Sequence, residues 1–354
     1  MDDLQLLREM RSDIGSAPPA TLARGREKVM AGVGQAPATS ARGEIPAESN
    51  VRQIRFRRRV LLASAAAAVL VGGIVVADVV RPTPGATAEA AEVLNNAALA
   101  TIQASDPVVG PGQYLKVDTK AVYASTVARE DGTAVSWLDS TGGQVYIPAD
   151  LSGEWVWNRE PRIPTTFFSE EARAEAQRQT VPPSNANSDG PQLEGIIRGQ
   201  AGAFYGGSPE QILGTPLVEA IDSFPRDPQE LLDLIYDRTK GKGPSPESEA
   251  LTSIASALRT GVIPADLRAA LYKAAALIPG VVVADKQATL DGRQGVALGV
   301  YWADGKFRED IIIDPANGQM IGERTMFLVD EAGIPANTAA DWTSVKTSVV
   351  DAAP

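Results

Sequence analysis

Residues 294–314 read QGVALGVYWADGKFREDIIID and carry the clearest fold signal in the chain. Two strand-like runs, 294–303 and 306–314, are separated by Asp304-Gly305, a dipeptide that favours a two-residue hairpin turn. Further strands are predicted at 281–290 and at 318–328, the last after a tight turn over 314–318. The four runs together predict an antiparallel meander.

Three helices are predicted before this meander. The first, Leu231 to Thr239, follows Asp227-Pro228-Gln229-Glu230, which is close to a capping box with proline at the first helical position. The second spans 246–259 and begins after Ser245-Pro246. The third spans 264–277, and its residues Leu267, Leu271, Ala274 and Ile278 form one apolar face.

Upstream of these helices the sequence predicts another group of strands. An alanine-rich helix at 86–104 precedes candidate strands at 114–126, 133–139, 143–148 and 153–159, and residues 180–192 have the composition of a loop. Strands, then helices, then strands are typical of an α+β domain. We therefore expect residues 81–354 to form a curved antiparallel sheet with helices packed on one face.

The chain also contains one long apolar run before this domain. Residues 60–80 read VLLASAAAAVLVGGIVVADVV, and Asp78 is the only charged residue among them. At about 1.5 Å per residue, a helix of this length spans the roughly 30 Å hydrocarbon layer of a bilayer. The run predicts a single transmembrane helix and makes the lipid bilayer the first expected partner.

Charge predicts which side of the membrane each part occupies. Arg55, Arg57, Arg58 and Arg59 precede the span directly, which favours a cytoplasmic N-terminus and an extracytoplasmic C-terminal domain in the cell membrane. Residues 1–59 hold 11 Lys and Arg against 7 Asp and Glu, whereas residues 81–354 hold 22 against 36. The acidic exterior argues against nucleic acid as its ligand.

A cleavable signal peptide is the alternative reading of this segment. Ala86-Thr87-Ala88 has the pattern of a cleavage site, and Arg58-Arg59 resembles a twin-arginine signal. However, the apolar run exceeds the usual 7–15 residues, and a lead of 59 residues is long for such a signal. The sequence therefore favours a retained anchor.

The N-terminal tail is predicted to be helical over 1–35 and a flexible linker with a basic flank over 36–59. Leu7, Met10 and Ile14 form an apolar stripe on the first helix. About 50 residues are too few to build a self-sufficient core. We therefore predict that this stripe binds a cytoplasmic partner.

Composition excludes several kinds of chemistry. The chain has no cysteine and no histidine, so zinc sites built from these residues, cysteine nucleophiles and Ser-His-Asp triads are all ruled out. Asp304, Glu309, Asp310 and Asp314 cluster in sequence and could supply paired carboxylates, although charges at hairpin tips and on outward strand faces are usually solvated. The sequence predicts no catalytic residue, no cofactor and no metal site.

Several short segments carry a family resemblance that extends over nearly the whole chain. The most specific are Pro264–Tyr272, Ile278–Val281, and Asp314-Pro315-x-x-Gly318-x-x-x-Gly322-Glu323-Arg324. The others are Asp3–Arg11, Glu92–Asn95, Pro111–Leu115 and Phe224–Pro228. On these residues the chain resembles an actinobacterial family of single-pass membrane proteins without an established activity, often encoded next to extracytoplasmic-function sigma factors.

The resemblance implies an anti-sigma-like regulatory role, in which the cytoplasmic tail binds a sigma factor and the outer domain senses the envelope. The chain lacks the His/Cys zinc motif that many anti-sigma proteins carry. The predicted meander is also similar to the half-barrel sheets of lipoprotein carriers, which hold acyl chains. A membrane-anchored module that binds a lipid or a cell-wall component, without signalling, is therefore the second hypothesis.

Overall fold

The computed structural model describes residues 85–104, 106–180 and 194–354. The predicted N-terminal helices, linker and transmembrane helix, and nearly all of the predicted loop at 180–192, lie outside these residues. Within the three described ranges, no helix has both the length and the apolar character that crossing a bilayer requires.

The described residues form an α+β structure of helices and a large antiparallel sheet. The helices are α1 (Ala88–Gln103), α2 (Glu170–Thr180), α3 (Leu217–Ser223), α4 (Pro228–Thr239), α5 (Pro246–Arg259) and α6 (Ala265–Leu277), with a short 3-10 turn at Phe204–Gly206. The strands are β1 (Tyr114–Ala128), β2 (Ala134–Pro148), β3 (Glu154–Arg159), β4 (Ile163–Phe167), β5 (Gly195–Gln200), β6 (Gln211–Ile212), β7 (Thr215–Pro216), β8 (Val282–Leu290), β9 (Arg293–Tyr301), β10 (Phe307–Asp314), β11 (Gln319–Phe327) and β12 (Thr338–Val350).

One sheet joins strands from both ends of the described chain. Its order is β5-β3-β2-β1-β12-β11-β10-β9-β8, with β4 paired beside β2, and all of its described pairings are antiparallel. The predicted meander is confirmed as β8 to β11. The last strand, β12, pairs with β1 from Tyr114↔Val350 to Val122↔Trp342 and so connects the meander to the first strands.

The sequence predicted two strands, 133–139 and 143–148, where the structure has the single strand β2. This prediction was wrong because the intervening Gly142 and Gly143 do not break the strand. Both pair in register with β1, opposite Lys120 and Thr119. A Cβ atom at Gly143 would lie 2.4 Å from the carbonyl oxygen of Asn158, so close approach of β3 requires glycine here.

The predicted apolar face of α6 is confirmed. Leu267, Leu271, Ala274 and Ile278 are all buried in the main core, together with residues of α1, α4, α5 and the sheet. Each leucine or isoleucine buried in this way stabilises the fold by roughly 1.5–3 kcal/mol.

Two of the segments that carry the family resemblance meet at the turn between β10 and β11. The carbonyl oxygen of Gly318 accepts hydrogen bonds from the hydroxyl of Tyr272 at 2.8 Å and from that of Thr101 at 3.2 Å. Gly318 has φ +67°, and a Cβ atom there would lie 2.3 Å from the carbonyl oxygen of Ala97. The turn therefore needs glycine in order to pack on α1 and α6.

Candidate functional site

The helical layer contains a large cavity, and α4 forms its first wall. The Asp227 carboxylate caps this helix by accepting hydrogen bonds from the backbone N–H groups of Gln229 at 2.9 Å and Glu230 at 3.0 Å. Leu232 and Tyr236 are four residues apart on α4 and therefore lie on the same side of it. Both side chains line the cavity.

The loop from α4 to α5 forms the second wall. Its two glycines, Gly241 and Gly243, have φ values of +76° and +65°, and a Cβ atom at Gly243 would lie 2.4 Å from a carboxylate oxygen of Glu249. The Ser245 hydroxyl then starts α5 by accepting a hydrogen bond from the N–H of Ser248 at 3.1 Å.

The C-terminal end of α6 forms the third wall of the cavity. Leu277 and Pro279 form this wall, and Leu277 is 36% exposed although its side chain is apolar. The cavity is partly open to solvent, and its volume is about 610 Å³. Ligand-binding cavities in proteins measure roughly 300–1,000 Å³, so this one is large enough for a small molecule.

Charge at the cavity is concentrated at its rim. Lys240 and Lys242 line the cavity, and neither has an ion-pair partner within the described residues. The acidic group among the lining residues is Glu247. The rim therefore has a net positive charge, in a domain whose overall charge is strongly negative.

Tyr236 adds a hydrogen-bond donor to the wall. Burial raises the pKa of its hydroxyl to about 12, and the nearby carboxylates of Glu247 and Asp233 act in the same direction. The hydroxyl is therefore protonated at neutral pH and can donate to a ligand acceptor.

The cavity wall is hydrogen-bonded to the first residues of the described chain. The N–H of Ala86 donates to the carbonyl oxygen of Ala276 at 3.1 Å, and the N–H of Thr87 donates to that of Val281 at 2.9 Å. Leu277 and Pro279 lie between these two acceptors in the sequence. The segment that follows the predicted span by a few residues is therefore fixed to the backbone that carries the cavity wall.

The four acidic residues that the sequence brought together are separated by the fold. Asp304 and Asp314 accept backbone hydrogen bonds in their own turns, from Lys306 and Ala316 at 2.9 Å each. Glu309 and Asp310 are consecutive residues of β10, so their side chains lie on opposite faces of the sheet. They do not form a carboxylate pair.

Asp310 is buried, which contradicts the expectation that these charges are solvated. Its carboxylate accepts hydrogen bonds from Arg308 at 2.6 and 2.9 Å and from Arg324 at 2.9 Å. The Asp310 side chain is fully inaccessible and each arginine is 12% exposed. Gly299 lies opposite, where a Cβ atom would come within 2.2 Å of the carboxylate. We refer to Asp310, Arg308 and Arg324 as the arginine clamp.

Glu309 lies on the other face of the sheet, among further acidic residues. Burial raises the pKa of its carboxyl to about 6, although Trp302 and Thr325 donate hydrogen bonds to it at 3.3 Å. Glu323 and Asp341 contribute smaller increases. Glu323 is itself paired with Arg259 of α5. Across the described ranges, no group of three or more acidic residues is arranged to hold a metal ion.

The site residues named from the sequence do not coincide with this cavity. Arg55, Arg57, Arg58 and Arg59, and the stripe Leu7, Met10 and Ile14, lie outside the described residues. Sequence reasoning missed Lys240, Lys242 and Tyr236. The available signal was Lys240-Gly241-Lys242-Gly243-Pro244, in which two lysines alternate with glycines that fold the loop.

No protein-family model and no curated protein sequence matches the chain. Two solved structures show a remote similarity. The MucA/MucB complex of Pseudomonas aeruginosa is 10% identical over 75% of this chain and 59% of that chain, with a TM-score of 0.22. A DUF1329 family protein from Desulfovibrio piger is 9% identical over 73% of this chain and 92% of that chain, with a TM-score of 0.18. The chain thus spans less than two thirds of the first of these structures.

Proposed function

We propose that this chain is a single-pass regulatory protein of the cell envelope. In this proposal, residues 60–80 cross the membrane, the α+β domain lies outside the cytoplasm and binds a ligand, and the tail binds a sigma factor. The domain acts as a sensor and performs no catalysis of its own.

The observation that carries the proposal is the position of the cavity wall. The segment 276–281 lines the cavity through Leu277 and Pro279 and holds Ala86 and Thr87 through its backbone. A ligand that binds one arrangement of this segment more tightly than another shifts the equilibrium between them by at most the difference in its binding free energies. The change is then transmitted to Ala86 and Thr87, which follow the predicted span by a few residues.

The acidic residues support a sensor without catalysis. Asp304 and Asp314 accept hydrogen bonds in their own turns, and Asp310 belongs to the arginine clamp. Glu323 pairs with Arg259. Glycoside hydrolysis needs two carboxyl groups that flank one bond. Glu309 and Asp310 cannot do so because the sheet lies between them.

The proposal is tested by obstructing the cavity in the full chain. Leu277→Trp places a larger side chain at the mouth of the cavity, and its matched control is Leu99→Trp on α1, at a site that is 57% exposed and does not line the cavity. We expect the first variant alone to change transcription from the sigma factor's promoters. The same transcript levels in both variants and the parent would contradict the sensor role.

The partner is tested separately by co-purification. The full chain, tagged at its C-terminus, should capture one sigma factor from detergent-solubilised membranes. Replacing Leu7, Met10 and Ile14 with serine should abolish the capture, because it removes the apolar stripe. Failure with every sigma factor of the host would reject the regulatory proposal.

The second candidate, a ligand-binding module without signalling, also has a structural argument in its favour. All residues that line the cavity lie between Gln229 and Pro279, so binding does not require the tail. Replacing residues 1–50 with an unrelated basic sequence distinguishes the two candidates. Unchanged physiology would favour the module, and loss of the transcriptional response would favour the sensor.

A further inference from the structure

The cavity has two chemically different regions. Leu232, Tyr236, Leu277 and Pro279 give it an apolar wall, while Lys240 and Lys242 lie on the loop at its rim. A ligand that fits both regions needs an apolar body to cover the wall and a polar group at one end to reach the rim.

The positive charge at the rim indicates that the polar end of the ligand is negatively charged. Most of the basic side chains in the described residues form ion pairs. Examples are Lys120 with Asp291 at 2.9 Å and Lys286 with Glu89 at 2.7 Å. Lys240 and Lys242 form none within the described residues, although the domain has an excess of acidic groups. These two cations outnumber the one lining carboxylate, Glu247, so the cavity attracts an anion.

The apolar wall favours a ligand whose main part is apolar. Leu277 is partly exposed at the cavity, and a ligand chain that covers it removes apolar surface from water. The protonated hydroxyl of Tyr236 offers one hydrogen bond to an acceptor. Lys240, Lys242 and this hydroxyl can together bind a single compact acidic group, with the carboxylate of Glu247 as the opposing charge in the lining.

We propose that the cavity binds an anionic amphiphile, with an apolar chain against Leu232, Leu277 and Pro279 and its acidic group between Lys240 and Lys242. This inference rests on the proposed function, because it names the ligand class of the same cavity. A free long-chain carboxylic acid and an acidic membrane phospholipid both have this chemistry.

The test uses the purified full chain in phosphatidylcholine vesicles and two photoactivatable probes. One is palmitic acid with a diazirine in its chain, and the other is phosphatidic acid with the same diazirine chain. After irradiation, peptide mapping should find the label in residues 229–247 and 277–279. Labelling by palmitic acid alone identifies a free acid as the ligand, labelling by phosphatidic acid alone identifies a membrane lipid, and labelling by neither overturns the inference.

Charge reversal tests the role of the rim. Lys240→Glu combined with Lys242→Glu should reduce labelling more than about tenfold, because like charges then face each other. Lys273→Glu is the matched control, since Lys273 is exposed on α6 and does not line the cavity. Diazirine-bearing hexadecanol has the same chain without the acid. Labelling of the cavity by this alcohol as strongly as by the acid would overturn the requirement for an anion.

The outcomes separate this inference from the proposed function. If no probe labels the cavity but Leu277→Trp still alters transcription, the ligand class is wrong and the sensor role stands. If the acidic probes label the cavity but Leu277→Trp leaves transcription unchanged, the ligand class stands and the sensor role fails.

Discussion

The arginine clamp and the rim of the cavity use positive charge in opposite ways. Arg308 and Arg324 are almost inaccessible, and both donate hydrogen bonds to the buried carboxylate of Asp310. Lys240 and Lys242 are exposed and have no acidic partner within the described residues. In the clamp, each charge is satisfied by another group of the same domain, whereas at the rim the charges remain available to a ligand.

Buried and exposed charges have different consequences in this domain. A buried ion cluster must be complete, because removing one member leaves the others without water and without a partner. An exposed unpaired lysine contributes little to folding. The clamp should therefore determine stability, and the rim should determine binding.

The largest effect is expected from Asp310→Asn. This change removes the charge that two buried guanidinium groups share, and we expect it to lower the free energy of unfolding by about 3–5 kcal/mol. Urea titration of the full chain, followed by tryptophan fluorescence, measures the change. Asp304→Asn in the exposed hairpin turn is the control and should change stability by no more than about 0.5 kcal/mol. Equal values for the two variants would show that the clamp contributes no more to stability than an exposed turn.

A smaller effect is expected from Tyr272→Phe, because this buried group is neutral. The substitution removes the hydrogen bond to the carbonyl oxygen of Gly318 and leaves Thr101 as its remaining side-chain donor. We expect a loss of about 1–1.5 kcal/mol in the same titration. In a background with Thr101→Val the carbonyl loses both donors, so the loss should be larger. A strictly additive result would show that the two donors act independently.

Glu309→Gln tests a partly buried charge that has no ion-pair partner within the described ranges. The folded pKa of about 6 lies above the unfolded value of 4.5, so the folded state binds more protons and stability falls as pH rises through this window. Glutamine does not ionise, so the variant keeps the free energy of unfolding that the parent loses as pH rises. It should be about 1 kcal/mol more stable than the parent at pH 7.5 and equally stable at pH 4. Thermal unfolding of both proteins at both pH values measures this difference in stability. Glu170→Gln, at a side chain that is 89% exposed, should show no such pH dependence.

The smallest effect on stability is expected from reversing Lys240 and Lys242 to glutamate. Neither lysine has an ion-pair partner in the described part of the chain, so the free energy of unfolding should change by no more than about 0.5 kcal/mol. A small part of any loss would come from Lys240, since a cation is favoured at the C-terminal end of α4. A loss as large as that of Asp310→Asn would show that the rim is part of the folded framework.

Local signals were sufficient to predict the helical layer and the meander. The caps at Asp227 and Ser245 and the apolar face of α6 set three helices within a few residues of their observed bounds. The hairpin at Asp304-Gly305 and the turn at 314–318 set the strands from β8 to β11. Such signals lie within one element or one turn, so the sequence carries them without knowledge of the rest of the fold.

Elements without a local apolar pattern were missed. Helix α2 reads EEARAEAQRQT, and its buried contacts come from Ala172 and Ala176, which pack against Val135 and Trp137. Strand β12 buries Thr343 and Ser344 and contains a bulge near Asp341, which interrupts its alternation. The strands β4 to β7 and helix α3 were also not predicted, because each is short.

The amino-acid sequence alone determined the apolar run at 60–80, the charge difference across it, the absence of cysteine and histidine, and most of the regular elements. These properties depend on composition and on neighbours along the chain. Only the tertiary structure joined β1 to β12, buried Asp310 between two arginines, and formed a cavity from α4, α6 and a lysine-bearing loop. Each of these features depends on residues far apart in the chain, whose distances are set by packing and not by spacing in the sequence.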